Sequence, residues 1–311
     1  MRYNKTIRIN TVEKPYNLEY TVWVLRRRPK NIVDQYVDEH YRRLLKIKDQ
    51  LVLVSLYQPN IFNQELIVKV ASNQEISKDI LNKVQSIVTR TLGLDINLSL
   101  FYEKTYDHNV SVLLNRFRGM RPTRYPSLLE AFVNVISCQQ ISIEAGLSII
   151  NRIVKNYGES ASHEGCMYYS FPKARDLLDV DDENLRSIGL SYNKARYIKN
   201  VAYLIESRQL ESEYLSRLPD DELFDRLCSV KGIGRWSAEY LMLRYFGRLN
   251  IFPGDDIGAQ NNIRSLQNLD HKPNYDEIRG IIDSWSPYAG LIYFHLLLDK
   301  IYNKQYSLDS S

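Results

Sequence analysis

At 311 residues, 44% hydrophobic and with a formal net charge of +4, the chain is long enough to bury two or three proper cores and is neither a disordered polymer nor a non-specific polycation. No run reaches the roughly 18 apolar residues of a membrane span, and Met1–Thr6 opens no signal-peptide apolar core, so a soluble, intracellular and monomeric protein is expected. Cys138, Cys166 and Cys228 are too few and too scattered for a disulfide framework or a four-thiolate zinc site, which leaves no metal site built from side chains.

In chain order, residues 1–75 read as short β-rich runs, Tyr20–Leu25, Gln50–Leu56 and Glu65–Ala71, separated by Pro and Asn turns. Helical spacing follows over 76–92 in Ile80, Leu81, Val84, Ile87 and Val88, and stops at Gly93. An antiparallel sheet with one covering helix is the economical arrangement for residues 1–100. Two basic clusters, Arg26–Arg28 with Lys30 and the looser Arg116, Arg118, Arg121 and Arg124, are either solvated or phosphate-facing.

From 101 to 311 helical periodicity dominates, over 128–157, 193–207, 220–230, 235–246, 257–266, 275–285 and 288–302, bounded by Gly and Pro. The fold class is therefore α+β: a β domain followed by an all-α region. Within the latter, Leu223, Phe224 and Leu227 share a helical face. Gly232-Ile233-Gly234 stops that helix, and Arg235–Phe246 resumes it with Gly247 as its C-cap. Two glycines around one apolar residue at a helix start either serve turn geometry alone or present unpaired backbone N–H groups to a phosphate. After Pro253-Gly254 come two adjacent acids. One can cap the helix beginning at Ile257, which leaves the other spare for chemistry. On the helix after the turn, Trp236, Tyr240 and Leu243 share one face, as buried core or as the wall of a cleft.

These segments, Gly232-Ile-Gly-Arg-Trp-Ser-Ala-Glu-Tyr240 with Pro253-Gly-Asp-Asp256, Ser137-Cys-Gln-Gln-Ile-Ser142 and Ile188-Gly-Leu-Ser-Tyr-Asn-Lys-Ala195, resemble the helix-hairpin-helix DNA glycosylase superfamily. Within it they look most like the alkylation-repair branch, 3-methyladenine DNA glycosylase II, over about 126–298. The resemblance implies two helical subdomains with the active-site cleft between them, and double-stranded DNA containing damaged bases as partner. It implies that Asp256 is catalytic, with Asp255 capping or orienting, and that Gly232, Ile233, Gly234 and Arg235 grip the DNA backbone. Gln140 would fill the gap left by a flipped base, and Lys194 would lie near the backbone. Trp236, Tyr240, Trp285 and Tyr288 would line the base pocket, where electron-rich rings suit a cationic alkylated purine. Bifunctional members carry a lysine nucleophile where this chain has Trp236, so base excision without strand cleavage is expected. The family often has an aromatic residue after the catalytic aspartate. Ile257 here alters the pocket. No redox or nucleotide cofactor is implied, and hairpin backbone carbonyls could hold a structural monovalent cation. Removal of oxidised or deaminated bases, or non-catalytic DNA binding through the hairpin, are the alternative readings.

Overall fold

The strands of the N-terminal unit bury alternate residues on opposite faces, and this period of two sets which side chains meet which layer. In the computed structural model, which describes residues 1–61 and 64–306, the strands are β1 (Tyr3–Asn10), β2 (Gln35–Val37), β3 (His40–Ile47), β4 (Gln50–Tyr57) and β5 (Glu65–Ser72). They pair antiparallel in the order β1-β5-β4-β3-β2. Asp38 and Glu39, with φ of 50° and 60°, form the two-residue β2–β3 turn, a backbone whose twist matches the flanking strands. One face carries Tyr41, Leu45, Val52, Val54, Leu56, Leu66, Val68 and Val70. The helix Lys78–Thr91 covers it with Ile80, Val84 and Val88, starting from a cap in which the Ser77 hydroxyl accepts the Ile80 N–H. The opposite face presents Leu44, Leu53 and Ala71 to Tyr168 of a second, two-stranded hairpin, β6 (Ser160–His163) and β7 (Cys166–Tyr169). That hairpin lies inside the otherwise helical region and was not expected there.

The run Tyr20–Leu25, expected as a strand, is part of a helix, Leu18–Arg26. Asn17 Oδ1 caps it by accepting the Tyr20 N–H at 2.9 Å. Its apolar residues mimic strand content because the helix is buried on two sides. Leu18, Val22 and Leu25 join the core of the sheet, whereas Trp23 and Val24 join the large core of the helical region. The helical stretch over 128–157 comprises two helices, Leu128–Cys138 and Ile143–Tyr157, separated by a turn in which Gln140 has φ of 56°. The first of these is buried along almost its whole length and forms the axis of the helical core. Among the described residues no helix is long and apolar enough to cross a membrane.

Buried arginines tie the sheet to the helices. Arg244, wholly buried, donates to Thr123 Oγ1 and to the Val24 carbonyl. Arg43 on β3 reaches Asp34 Oδ1 at 2.6 Å and Glu130 Oε2 at 2.5 Å on the axial helix, all three residues being buried. One guanidinium thus faces two carboxyls away from water. Burial pushes the Glu130 carboxyl up to about 7, with Arg43 pulling it down and Asp34 adding to the rise. Because the folded value lies above the unfolded one, this group's stabilising contribution is complete below about pH 4.5 and is lost as pH rises through 7. Urea denaturation of the wild type should therefore show stability falling between pH 5 and pH 8 by on the order of 2 kcal/mol from this site. Glu130→Gln should flatten that part of the profile, and an unchanged slope would contradict it.

Candidate active site

The helix Asp220–Cys228 ends at Ser229, and the chain turns through Val230–Gly234 before the helix Arg235–Leu241 begins. Gly232 holds φ of 90°, and a Cβ there would lie 2.3 Å from the Tyr197 ring, so both backbone conformation and close approach require glycine. The Ile233 N–H closes the turn on the Val230 carbonyl. No side chain caps the following helix at Gly234, so its first N–H groups stay available to an outside acceptor. The helix widens into a π turn over Met242–Phe246 and ends at Gly247, whose φ of 74° confirms the expected C-cap.

Facing the hairpin across a cleft of about 1530 Å³ lies the start of the helix Ile257–Leu266. The Asp256 side chain performs two tasks there. Oδ1 accepts the Ala259 N–H at 2.8 Å and caps the helix, while Oδ2 accepts from Trp236 Nε1 at 3.2 Å and from the Tyr293 hydroxyl at 3.3 Å. Of the two roles expected for Asp255, capping or orienting, capping thus belongs to Asp256. Asp255 instead accepts Arg235 Nε at 2.7 Å, and the Arg235 guanidinium lies 3.8 Å above the Tyr275 ring. Tyr275 in turn donates to Glu239 Oε1 at 2.7 Å, and burial raises the Glu239 carboxyl above its ordinary value, against the pull of that hydrogen bond. This chain of contacts pins the Pro253–Asp256 loop to the post-hairpin helix.

Trp236 and Tyr240 line the cleft as expected, their ring centroids 5.6 Å apart. Trp285 and Tyr288 do not. Trp285 is 1% exposed and packs on Phe252, and Tyr288 packs edge-on against Phe101. From this part of the chain the wall comes from the C-terminal helix, where Leu297, Lys300 and Ile301 join Tyr293, whose ring is set edge-on to Tyr240 at 6.4 Å. Its position was not read from the sequence, because an apolar helix buried on every side gives no clue to which ring faces a cavity.

Gln139 Nε2 donates to the Gly232 carbonyl at 2.8 Å and to Ser237 Oγ at 3.0 Å, which ties the 139–142 turn to the hairpin. Gln140, exposed and left-handed, stands at the rim of the cleft. Lys194 also lines the cleft, but its ammonium is held by the carbonyls of Ser137 (3.1 Å) and Gln139 (2.7 Å), and burial lowers its pKa. Most arginines of the two basic clusters are paired or buried, while Lys30 and Arg118 are exposed. Arg26 donates to the carbonyls of Tyr36 and Pro29, and Arg28 pairs with Glu144. Arg116 pairs with Asp299, Arg124 with Asp95, and Arg121 is 1% exposed. Among the described residues no group of three or more His, Cys, Asp or Glu is placed to hold a metal ion. A cation at the hairpin would depend on backbone carbonyls, of which Gly232 O already accepts from Gln139 and keeps one lone pair.

Residues 133–287 match the family model described as HhH-GPD superfamily base excision DNA repair protein. The chain belongs to that superfamily. A DNA-3-methyladenine glycosylase of Bacillus subtilis is 27% identical over 245 residues, covering 78% of this chain and 81% of that protein. DNA-3-methyladenine glycosylase 2 of Escherichia coli is 23% identical over 291 residues, covering 91% and 94%. The solved structure of a 3-methyladenine DNA glycosylase from Archaeoglobus fulgidus superposes with a TM-score of 0.79 at 27% identity, over 94% of this chain and 97% of that one. These matches place the chain in the alkylation-repair branch of the HhH-GPD superfamily.

The hairpin geometry is directly testable. Gly232→Ala should destabilise the protein by on the order of 2 kcal/mol, because it adds a left-handed strain and a collision with Tyr197. A melting temperature equal to that of the wild type would refute the packing described here.

Proposed function

We propose that this protein is a monofunctional DNA glycosylase that flips damaged purines, N-alkylated ones foremost, out of duplex DNA and hydrolyses the N-glycosidic bond with Asp256 as its catalytic carboxylate. The observation that carries the proposal is the Asp256 carboxylate. It is held by Trp236, Tyr293 and its own helix start, in a cleft whose other rim is the hairpin. The names of the relatives, DNA-3-methyladenine glycosylases, support the same reading.

The chemistry follows from the parts. The open N–H groups after Gly234 offer a phosphate its hydrogen bonds without a charged side chain. Flipping costs a few kcal/mol, less for a weakly stacked lesion, and Gln140, at the rim of the cleft, would fill the vacated space. The extruded base enters beside Trp236, Tyr240 and Tyr293. A positively charged N-alkylated purine is attracted to such ring faces and already leaves readily, so no dedicated acid is needed. The Asp256 carboxylate stabilises the oxocarbenium-like sugar and orients the attacking water. Excision without strand cleavage is supported by the residue at 236, an indole rather than an amine, and by Lys194, whose ammonium is committed to two carbonyls. A structural monovalent cation on the hairpin carbonyls is compatible with this scheme, and no step depends on it.

Asp256→Asn is the informative variant, because asparagine is an equally good N-cap and keeps an acceptor for the Ala259 N–H. It should bind duplex DNA as the wild type does and lose roughly 10²-fold or more in 3-methyladenine release under single-turnover conditions. Wild-type turnover by the variant would sink the assignment. Borohydride treatment of the wild type with lesion DNA should trap no covalent adduct, and a trapped adduct would overturn the monofunctional reading.

A further inference from the structure

The least expected group in the cleft is Arg27. It terminates the helix Leu18–Arg26 in the left-handed conformation, φ 60°, an uncommon state for a residue with a side chain. Its guanidinium passes from the N-terminal unit into the helical one, and the residue as a whole is 7% exposed. It donates to Tyr240 Oη at 3.1 Å and to Asn134 Oδ1 at 3.3 Å, and lies 3.9 Å from Cys138 Sγ. All three partners are neutral, and among the described residues Arg27 forms no ion pair. Arginine does not give up its proton in proteins, so a buried, uncompensated positive charge lines the same cleft as Trp236, Tyr240 and Asp256.

Such a charge acts oppositely on two kinds of purine. An alkylated purine enters already positive, and Arg27 repels it. A neutral 6-oxopurine becomes negative as its bond breaks: the glycosidic electron pair moves to N9, water adds its hydroxyl to C1′, and the proton from that water ends on the base. Arg27 attracts the negative charge that builds up before that proton arrives, in surroundings where water screens little. We propose that Arg27 is a specificity-determining residue that shifts selection toward damaged purines that are neutral in DNA and leave as anions. This rests on the glycosylase reading above and adds to it the charge preference of the pocket.

The test compares single-turnover release of hypoxanthine, neutral, and of 7-methylguanine, cationic, from otherwise identical duplexes. The variants are Arg27→Gln, which keeps donors for Tyr240 and Asn134 but no charge, and Arg27→Lys, which keeps the charge, each checked for wild-type melting. The hypoxanthine to 7-methylguanine rate ratio should fall at least tenfold in Arg27→Gln and stay within about threefold of wild type in Arg27→Lys. An unchanged ratio in Arg27→Gln, or an equal loss of both rates, would show a structural role only and overturn the proposal while leaving the glycosylase reading intact. Should Arg27→Gln fail to fold, the wild type decides: release of 7-methylguanine with no detectable release of hypoxanthine also overturns it. A wild type that releases no base from either duplex, nor 3-methyladenine, removes the glycosylase reading and this proposal together.

Discussion

One carboxylate is fixed from three directions, and the geometry of the cleft depends on it. Asp256 cannot turn toward solvent without uncapping the helix behind it and releasing both Trp236 and Tyr293. Each contact comes from a different stretch of chain, so a single side chain touches hairpin helix, capped helix and C-terminal helix, which also share one apolar core. Preorganisation of this kind is what electrostatic catalysis needs, since a carboxylate that must reorient during the reaction loses much of its effect. The Arg235–Asp255 pair and the Tyr275–Glu239 hydrogen bond extend the same constraint to the loop that carries it.

Residues whose role follows from local backbone chemistry were legible in the sequence. Gly232 and Gly234 announced a turn at a helix start, the Asp255–Asp256 pair a cap for the helix that follows, and Lys78–Thr91 its amphipathic period over a sheet. What escaped was settled by burial on more than one side. Leu18–Arg26 reads as a strand because both of its faces are apolar, and only Asn17 betrays the helix. The hairpin β6–β7 has too little apolar alternation to register, although Glu164 and Gly165, with φ of 50° and 77°, supply its tight turn. Asp255 and Asp256 carry identical side chains, so nothing short of their neighbours decides which caps and which pairs with Arg235. Trp285 and Tyr293 are eight residues apart on either side of a break between two helical elements, and sequence periodicity cannot tell which one a cavity reaches.

The arginines teach the same lesson with the opposite sign. A run such as Arg26–Arg28 normally signals a wet or phosphate-binding surface. Here Arg26 and Arg27 are buried: Arg26 ties its helix end to the Pro29 and Tyr36 carbonyls, and Arg27 threads one layer into the next, as Arg43, Arg121 and Arg244 do elsewhere in the interface. A guanidinium suits this work because its planar fork reaches several acceptors at once along a fixed direction. The cost of removing such charges from water is offset by carbonyls, phenols and carboxyls gathered from both units, so the two halves are joined by directional contacts as well as by apolar area.

The helix Leu18–Arg26 also constrains when the molecule can become functional. Val24 accepts from Arg244 and Arg27 donates to Tyr240, across more than two hundred residues of chain. During synthesis the strands and their covering helix can collapse early, yet one side of Leu18–Arg26 stays without its neighbours until the hairpin helix emerges, and Asp256 lacks the last of its three partners until Tyr293 follows. The cleft around Asp256 is thus among the last features to close on a chain emerging from the ribosome. Slow non-local pairing of this sort leaves a nascent molecule exposed to chaperones and proteases, and it keeps a base-removing pocket unformed until nearly the whole chain has been made.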